Sequence, residues 1–468
     1  MKTKLLSSIF VAFLAFTNAN SQSHLWALTL NGGGASMGSI IVCNDNGTGL
    51  NVAHSFQGPA GYHPYGNLLC ASDGNLYGTC YDGGLFGSCT IFRLIPSTGI
   101  YTDVVSFDIV HGDYPKSGVV EGPGGKLYGA ASSGGSAGGG VIYSYDINTG
   151  AYTDEYDLTS VSGTFPIGNP IVHSNGKLYG MTTSGGLYSS GVIYSFDIST
   201  GIFTDVYDFD GTNGSNPKGS LLELGDGTLY GMTSSGGATA AGVLFGFNPS
   251  EGGFTKLIDF ATADGSLPQG TLMQASDGLL YGMTSAGGVN GVGVLFSYNP
   301  MSHVYANLYN FNTADGSTPL GKLVQSGNML CGATSAGGIH GLGTMFNFDI
   351  TNSSYAKVLD FNGSNGANPN GGFISVMTTT GIAGINSSNA SVFPNPASNE
   401  INVTLASAFR DATSFSLRDA GGKLVYSAIE AVPVNATKNI SLKDFSAGTY
   451  FLEIKNGSET ILKKVVKE

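Results

Sequence analysis

Charged residues are scarce in this chain, and basic residues are the scarcest. Only 11% of its 468 residues are charged, with 19 Lys+Arg against 32 Asp+Glu. The shortage of basic groups is concentrated in residues 24–390, which carry 8 Lys+Arg and 24 Asp+Glu, whereas residues 391–468 carry 9 and 8. Because an acidic surface repels phosphate backbones, the composition argues against a nucleic-acid partner.

Long apolar runs are missing after the first 21 residues, so the sequence predicts no transmembrane segment in the mature chain. Residues 1–21 have a basic start at Lys2 and Lys4, an apolar stretch over 5–16 and small residues at 19–21. That pattern is typical of a signal peptide. We therefore expect an exported protein.

Cysteine is also rare, and the five cysteines are an odd number that does not form a disulfide framework. Cys80 and Cys89 flank one predicted hairpin tip and are candidates for a disulfide, which an oxidising compartment permits. The cysteine spacing matches no zinc pattern, the seven histidines are scattered, and no HExxH motif occurs. The sequence thus predicts neither a metal nor a cofactor.

Catalytic signatures are absent too, which favours a non-catalytic protein. Strings similar to G-x-S-x-G arise from glycine-rich hairpins and lack the strand-to-helix setting of a nucleophile elbow. A carbohydrate-active enzyme remains the alternative, and it would need two carboxylates that converge at one entrance. Glu121 and Glu223 instead share a register near the far end of a predicted strand.

Glycine is abundant, at 73 residues, and it recurs within a repeat. The Leu-Tyr-Gly-Met-Thr-Ser-Ser-Gly-Gly segment at 229–237 is one of seven related copies. Its aromatic column advances by 51 residues, and by 50 at the last step, through Trp26, Tyr77, Tyr128, Tyr179, Tyr230, Tyr281 and the final Cys331. Such constant spacing predicts seven equivalent units.

Each unit contains four strand-like pieces, which in the fifth unit are 219–224, 229–234, 242–247 and 254–260. Asp-Gly pairs such as Asp226-Gly227 predict two-residue hairpins. A proline precedes the first strand of every unit, where its missing N–H removes no ladder hydrogen bond. Four short strands in each unit are typical of a propeller blade.

The two ends of the repeat region complement each other. The chain enters at the second strand of a blade, near Leu25, while residues 368–376 repeat only a first strand. A C-terminal strand that completes the first blade would remove exposed sheet edges. We therefore predict an all-β fold in which residues 22–378 form a seven-bladed β-propeller closed by a C-terminal strand, rather than an open solenoid.

The repeat resembles the GloVer tandem-repeat family in its Leu-Tyr-Gly-Met-Thr, Gly-Gly and Gly-Val-Leu-Phe elements. That resemblance implies bacterial surface or secreted proteins and no particular activity. Small polar residues over 379–390 predict a linker. Residues 391–468 then change composition, and their alternating strands predict a small Ig-like β-sandwich.

This last segment is similar to the C-terminal sorting domain of the type IX secretion system. The matching positions are Pro394, Asn395, Pro396, Gly448, Tyr450, Lys463, Lys464 and Lys467. The resemblance implies export by the type IX machinery, to the outer-membrane surface of a Gram-negative bacterium or to the medium. An ordinary Ig-like binding module is the alternative.

Two columns of the aligned repeats vary in a way that the fold does not require. They are the residue before each blade proline and the tip of each Gly-Gly hairpin. In a propeller these positions open on one face, where aromatic side chains suit stacking on sugars. The candidate ligand residues are Tyr62, His63, Phe86, Tyr114, Phe165, Tyr188 and His340. The hypothesis is a glycan or protein ligand on this face; the alternatives are rings that merely cover blade seams and a purely structural adhesin.

Overall fold

The computed structural model describes residues 22–58, 60–378, 390–393, 397–405, 413–419, 424–430, 437–456 and 459–467. The chain divides into two compact units, one of Ser23–Val376 and one that holds the C-terminal residues from Met377. The predicted signal peptide at 1–21 and all but the last residue of the predicted linker lie outside the described residues. No helix in the described part has the length and hydropathy of a membrane span.

The first unit is built almost wholly from antiparallel strands, with two short 3₁₀ turns at Pro123–Gly125 and Thr262–Asp264. Its first strands are β1 (Gln22–Asn31), β2 (Ser39–Asn44) and β3 (Asn51–Ser55). Three four-stranded sheets follow, named sheets 2 to 4. Their strands are β4 (Tyr62–Cys70), β5 (Leu76–Asp82), β6 (Thr90–Ile95), β7 (Ile100–Ser106); β8 (Val120–Glu121), β9 (Lys126–Ala131), β10 (Val141–Asp146), β11 (Tyr152–Asp157); β12 (Ile171–Val172), β13 (Lys177–Met181), β14 (Val192–Asp197) and β15 (Ile202–Asp208).

Sheets 5 to 7 repeat the same four-stranded order. Their strands are β16 (Leu222–Glu223), β17 (Leu229–Thr233), β18 (Val243–Asn248), β19 (Gly253–Asp259); β20 (Met273–Gln274), β21 (Leu280–Thr284), β22 (Val294–Asn299), β23 (Val304–Asn310); β24 (Val324–Ser326), β25 (Met329–Thr334), β26 (Thr344–Asp349) and β27 (Ser354–Asp360). Antiparallel meanders of four short strands are propeller-like.

The last strands of this unit return to its beginning. β28 (Ala367–Pro369) and β29 (Ile374–Thr378) both pair with β1, so sheet 1 contains β1, β2, β3, β28 and β29. Thr29 is opposite Pro369 and Asn31 is opposite Ala367. The surplus strand at the C-terminal end therefore lies where the N-terminal end lacks one.

The Leu-Tyr-Gly column is a core column because each glycine makes room for an aromatic ring on the next strand. Gly231 is paired with Phe245, and a Cβ on Gly231 would lie 2.5 Å from the ring of Phe245. Leu229 and Phe245 are fully buried. Overpacking at such a position costs about 1–3 kcal/mol, which explains why the column contains glycine.

The first hairpins are longer than the two-residue turns that Asp-Gly pairs predict. Leu224 and Thr228 close the turn of sheet 5, because the Leu224 N–H donates to the Thr228 carbonyl at 3.0 Å. Gly227 has φ 79° and its N–H donates back to Leu224. The loop thus has three residues, with glycine in the left-handed position as in a type I turn plus bulge.

One pair of outer-strand positions differs in charge from sheet to sheet. Lys256 forms an ion pair with Asp259 at 2.9 Å, but the equivalent positions of sheet 4 are Asp205 and Asp208. Burial raises the pKa of Asp205 to about 6, and the nearby charge of Asp208 adds to that effect. Oδ1 of Asp205 is buried without a hydrogen-bond partner.

This arrangement predicts a pH-dependent stability. Since the folded pKa of Asp205 exceeds the unfolded value of 3.8, its stabilising contribution is complete below about pH 4 and is lost as pH rises through 6. We expect Asp205→Asn to raise the melting temperature at pH 8 and to leave it nearly unchanged at pH 4. Asp205→Lys should also stabilise at pH 8, because it recreates the Lys256–Asp259 pair. Equal effects at both pH values, measured by thermal unfolding, would contradict this account.

The second unit contains two antiparallel sheets. The strands are β30 (Ala390–Phe393), β31 (Glu400–Leu405), β32 (Thr413–Asp419), β33 (Leu424–Glu430), β34 (Thr437–Ser441), β35 (Gly448–Asn456) and β36 (Glu459–Lys467). One sheet has the order β30-β31-β34 and the other β33-β32-β35-β36. Buried side chains of both sheets, among them Ile401, Phe415 and Leu452, share one core. The alternating strands that the sequence predicts over this segment are present.

All five cysteines are free thiols, so the candidate disulfide between Cys80 and Cys89 is not formed. Cys80 belongs to the core between sheets 1 and 2, whereas Cys89 belongs to the core between sheets 2 and 3. Their side chains therefore leave sheet 2 on opposite faces. Closeness in sequence at a hairpin tip was not enough to predict a disulfide, because successive side chains of a strand point to opposite faces of the sheet.

Candidate functional site

A central cavity of about 210 Å³ lies where segments of all seven sheets meet. Its lining comes from the three residues that follow the proline before the first strand of each unit, and it includes Tyr65, Lys218 and Gln269. The segments are packed backbone to backbone through Gly168, Gly219, Gly270, Gly321, Gly371, Gly66 and Gly118. The Gly118 N–H donates to Asn169 Oδ1 at 2.8 Å. Asn169 belongs to sheet 4, as does Gly168, so the series of contacts ends at the sheet where it began.

This close packing explains why the first strands are shorter than predicted. Residues 219–224 were expected as a strand, but only Leu222–Glu223 pair with β17. A Cβ on Gly219 would lie 2.1 Å from the Gly270 carbonyl oxygen, so the segment approaches its neighbouring segment too closely for a side chain. The backbone there lines the cavity instead of extending the ladder.

Three lysines, Lys116, Lys218 and Lys322, line the central cavity, and no Asp or Glu does. They belong to sheets 3, 5 and 7, so they approach the cavity from different sides. Lys218 Nζ donates to Gln269 Oε1 at 3.2 Å. Burial lowers the pKa of Lys218, with a further contribution from Lys116, and burial also lowers the pKa of Lys322.

A second cavity of about 250 Å³ adjoins the first and shares Tyr65 and Lys116 with it. We call it the mouth; its lining is Leu30, Asn31, His63, Tyr65, Tyr81, Asp82 and Lys116. A third cavity of about 480 Å³ adjoins the central cavity elsewhere and shares Asn67 and Lys322. The shared residues place the three cavities next to one another.

Aromatic rings and polar groups are combined at the mouth. The rings of Tyr81 and Tyr114 have centroids 4.7 Å apart, and Lys116 Nζ lies 5.2 Å from the Tyr81 centroid. His63 Nδ1 is 2.8 Å from Asp82 Oδ2. Burial raises the pKa of Tyr81, and the neighbouring Tyr114 contributes, so the phenol stays neutral. Such a mixture of rings and hydrogen-bonding groups is typical of a ligand site.

The residues before the prolines share an unusual backbone. All seven have left-handed φ angles of 50–57°, at His63, Tyr114, Phe165, Asn216, Leu267, Thr318 and Asn368. The His63 N–H donates to the Met37 carbonyl at 2.8 Å, and that of Phe165 to Gly139 at 3.0 Å. Equivalent bonds join six of the seven positions to the Gly-Gly hairpin of the preceding sheet, whereas the Tyr114 N–H donates to Asp113 Oδ1 at 3.0 Å. At these six positions the residue before the proline therefore lies next to a Gly-Gly hairpin.

The candidate ligand residues do not form one cluster. Tyr62 lies edge-on to His63, with ring centroids 5.0 Å apart, and it also packs against the core between sheets 1 and 2. His63 lines the mouth, and Tyr114 contacts its Tyr81. Among the described residues, the exposed side chains Phe86, Phe165, Tyr188 and His340 have no ring contact. Of these candidates only His63 lines the mouth, with Tyr114 beside it through Tyr81 and Tyr62 beside His63.

The glutamates considered for catalysis have structural partners away from the mouth. Glu121 accepts a hydrogen bond from the Ser72 N–H at 2.7 Å, and Glu223 accepts one from Ser174 at 3.1 Å. Each thereby caps the first hairpin of the preceding sheet. Within the described residues, no group of three or more His, Cys, Asp or Glu side chains is arranged to hold a metal.

Sequence reasoning missed Tyr65, Tyr81, Asp82 and the three lysines. The signal was the column directly after each proline, which reads Tyr65, Lys116, Ile167, Lys218, Gln269, Leu320 and Asn370. That column varies as much as the one before the proline. The three positions after each proline contain Lys116, Lys218 and Lys322, which are 3 of the 8 basic residues of the repeat region.

Seven sheets from one repeated unit define this chain as a propeller-like repeat protein of the all-β class. The chain belongs to the family described as the Gloeobacter/Verrucomicrobia repeat, which matches residues 14–172 and 166–392. The resemblance to the GloVer repeats is therefore confirmed. Residues 391–468 match the secretion system C-terminal sorting domain, which directs type IX secretion to the cell surface or the extracellular space.

Solved structures with a similar fold include a candidate 6-phosphogluconolactonase from Bacteroides fragilis, with 15% identity and a TM-score of 0.55 over 77% of this chain and 99% of that one. A candidate 6-phosphogluconolactonase from Bacteroides uniformis has 16% identity and a TM-score of 0.52 over 76% and 100%. The extracellular domain of a candidate one-component system from B. thetaiotaomicron has 14% identity and a TM-score of 0.47, and the match covers 92% of this chain and 60% of that domain. At these identities the likeness concerns the fold alone. No curated protein sequence matches the chain.

The sorting positions divide between described and undescribed residues. Pro394, Asn395 and Pro396 lie outside the described residues. Gly448 begins β35, and Tyr450 is buried there, with its hydroxyl donating to the Ser446 carbonyl at 2.7 Å. Lys463, Lys464 and Lys467 lie on β36.

Proposed function

We propose that the seven sheets close into a seven-bladed β-propeller, followed by an Ig-like sorting domain, and that the propeller is a non-catalytic glycan-binding protein. Closure is supported by the pairing of β28 and β29 with β1 and by the cycle of glycine contacts. Residues 1–21 would act as the signal peptide and be absent from the mature protein.

The mouth is the proposed glycan site, and the paired rings of Tyr81 and Tyr114 carry this proposal. Sugar rings present C–H faces that pack on aromatic surfaces, while their hydroxyls need hydrogen-bonding partners. His63, Asp82 and Asn31 supply such partners within the same cavity. A cavity of about 250 Å³ has room for one or two sugar rings at the end of a chain.

The test is glycan-array binding followed by titration of the best glycan. We expect Tyr114→Ala and Tyr81→Ala each to weaken binding about tenfold, because each removes one ring of the stacking surface. Tyr188→Ala, a matched loss of an exposed tyrosine at a hairpin tip, should leave the affinity unchanged. Loss of binding only in Tyr188→Ala would place the ligand on the hairpin tips, and turnover of the glycan would identify an enzyme.

A protein ligand on the Gly-Gly hairpin tips is the second candidate. Those tips expose aliphatic side chains, with Leu85 82%, Val289 85% and Ile339 78% exposed. Aliphatic groups on one face favour a protein contact over sugar stacking. Binding that depends on these side chains and not on the mouth tyrosines would support this candidate.

A further inference from the structure

The central cavity is lined by three basic residues and by no acidic one. Of the five other basic residues in 22–378, Lys177, Lys256 and Lys357 form ion pairs with aspartates. No carboxylate lines the central cavity with Lys116, Lys218 and Lys322, whereas Asp82 lines the mouth beside Lys116 and Glu223 lines the third cavity beside Lys322. Three cationic side chains therefore line one cavity within a repeat region that is acidic.

Clustering like charges is unfavourable, and partial burial increases the cost, because neither water nor a counter-charge fully solvates the ammonium groups. The surrounding polar groups, such as Asn67, Asn169 and Gln269, are neutral. An anion that entered the cavity would be next to a lining to which sheets 3, 5 and 7 each contribute one lysine. The volume of about 210 Å³ is enough for a carboxylate or phosphate group together with several waters.

We infer that the central cavity is an oxyanion site that receives the carboxylate of an acidic sugar bound at the mouth. The source of the oxyanion rests on the proposed glycan function, whereas the anion site rests on the lysines alone. Lys116 lines both cavities and so connects the sugar-stacking rings to the charged interior. Charge-assisted hydrogen bonds from lysine to a carboxylate are strong and specific for the ionised form.

The test compares trigalacturonic acid with its methyl ester, which keeps the sugar rings and removes the charges. Isothermal titration of the full exported protein should show binding of the acid and at least about tenfold weaker binding of the ester. Inorganic phosphate is the third probe, and it should compete with the acid. Affinity for the acid should fall with added salt, since the contacts are ionic.

Variants then assign the site. Lys218→Gln and Lys322→Gln should each weaken binding of the acid about tenfold, and the triple variant with Lys116→Gln should abolish it. Lys126→Gln, the matched control, removes one charge from sheet 3 outside the cavities and should bind normally. Lys218→Arg keeps the charge and should retain most of the affinity. Thermal unfolding of each variant checks that the fold is intact.

The possible outcomes separate the two proposals. Equal binding of acid and ester, unchanged in the lysine variants, would overturn the oxyanion site and leave the glycan function standing. Lysine-dependent binding of phosphate without binding of either sugar would support the oxyanion site and overturn the acidic sugar as the source of its anion. If neither trigalacturonic acid nor phosphate binds, the oxyanion site is wrong.

Discussion

Gly219→Ala is expected to lower the free energy of unfolding by about 3 kcal/mol, a large effect for one added methyl group. The added Cβ would lie 2.1 Å from the Gly270 carbonyl oxygen, which is part of the backbone of the neighbouring sheet's first segment. No rotamer change can relieve that contact, so the two segments must separate. Denaturant unfolding of the purified protein measures the effect.

Gly225→Ala is the matched control, because it makes the same chemical change in the same sheet. A Cβ at Gly225 has no heavy atom within 4 Å, and we expect a change of no more than about 0.5 kcal/mol. If Gly219→Ala and Gly225→Ala unfold at the same denaturant concentration, the close approach around the central cavity is wrong.

A chain that ends at Gly366 is expected to melt at least about 10 °C below the intact first unit, or to aggregate. It lacks β28 and β29, so the β1 edge loses its partner strands. It also lacks Phe373, which is 1% exposed in the core between sheets 1 and 7. Differential scanning calorimetry of the two lengths measures the loss.

The control for this truncation is a chain that ends at Thr378. It keeps both closing strands and lacks only the later residues, including the sorting domain. We expect it to unfold cooperatively at nearly the temperature of the same transition in the full chain. Similar melting of the chains ending at Gly366 and Thr378 would show that the closing strands contribute little.

The repeat region was predictable from sequence because a 51-residue period aligns equivalent positions directly. The Leu-Tyr-Gly column, the prolines and the complementary ends each follow from that alignment, and β29 pairs with β1 as expected. Strand lengths were less predictable. The glycines near 219 and 270 read as strand residues, whereas their backbones pack against adjacent segments.

The site was only partly predictable, since its residues come together through the fold and not through sequence spacing. His63 and Tyr114 were predicted from a variable column, and the structure places His63 in the lining of the mouth and Tyr114 against Tyr81. Tyr81 and Asp82 lie at the end of a core strand, and the sequence there predicts a structural role and no contact with a ligand. The lysines belong to alternate sheets about 100 residues apart, so their convergence is visible only when the repeats surround one cavity.

The left-handed residues before the prolines could not have been predicted. A residue before proline normally favours extended backbone, and most of these seven side chains are not the types that tolerate positive φ. Backbone hydrogen bonds to the preceding sheet hold six of them there, and the Tyr114 N–H donates instead to Asp113 Oδ1.

A crystal structure of the exported protein with trigalacturonic acid would test the central claim most directly. Our account predicts seven sheets in a closed ring, a sugar ring against Tyr81 and Tyr114, and a carboxylate about 3 Å from the Nζ atoms of the cavity lysines. An open array of sheets would contradict the account. So would a ligand on the hairpin tips, with only water beside Lys116, Lys218 and Lys322.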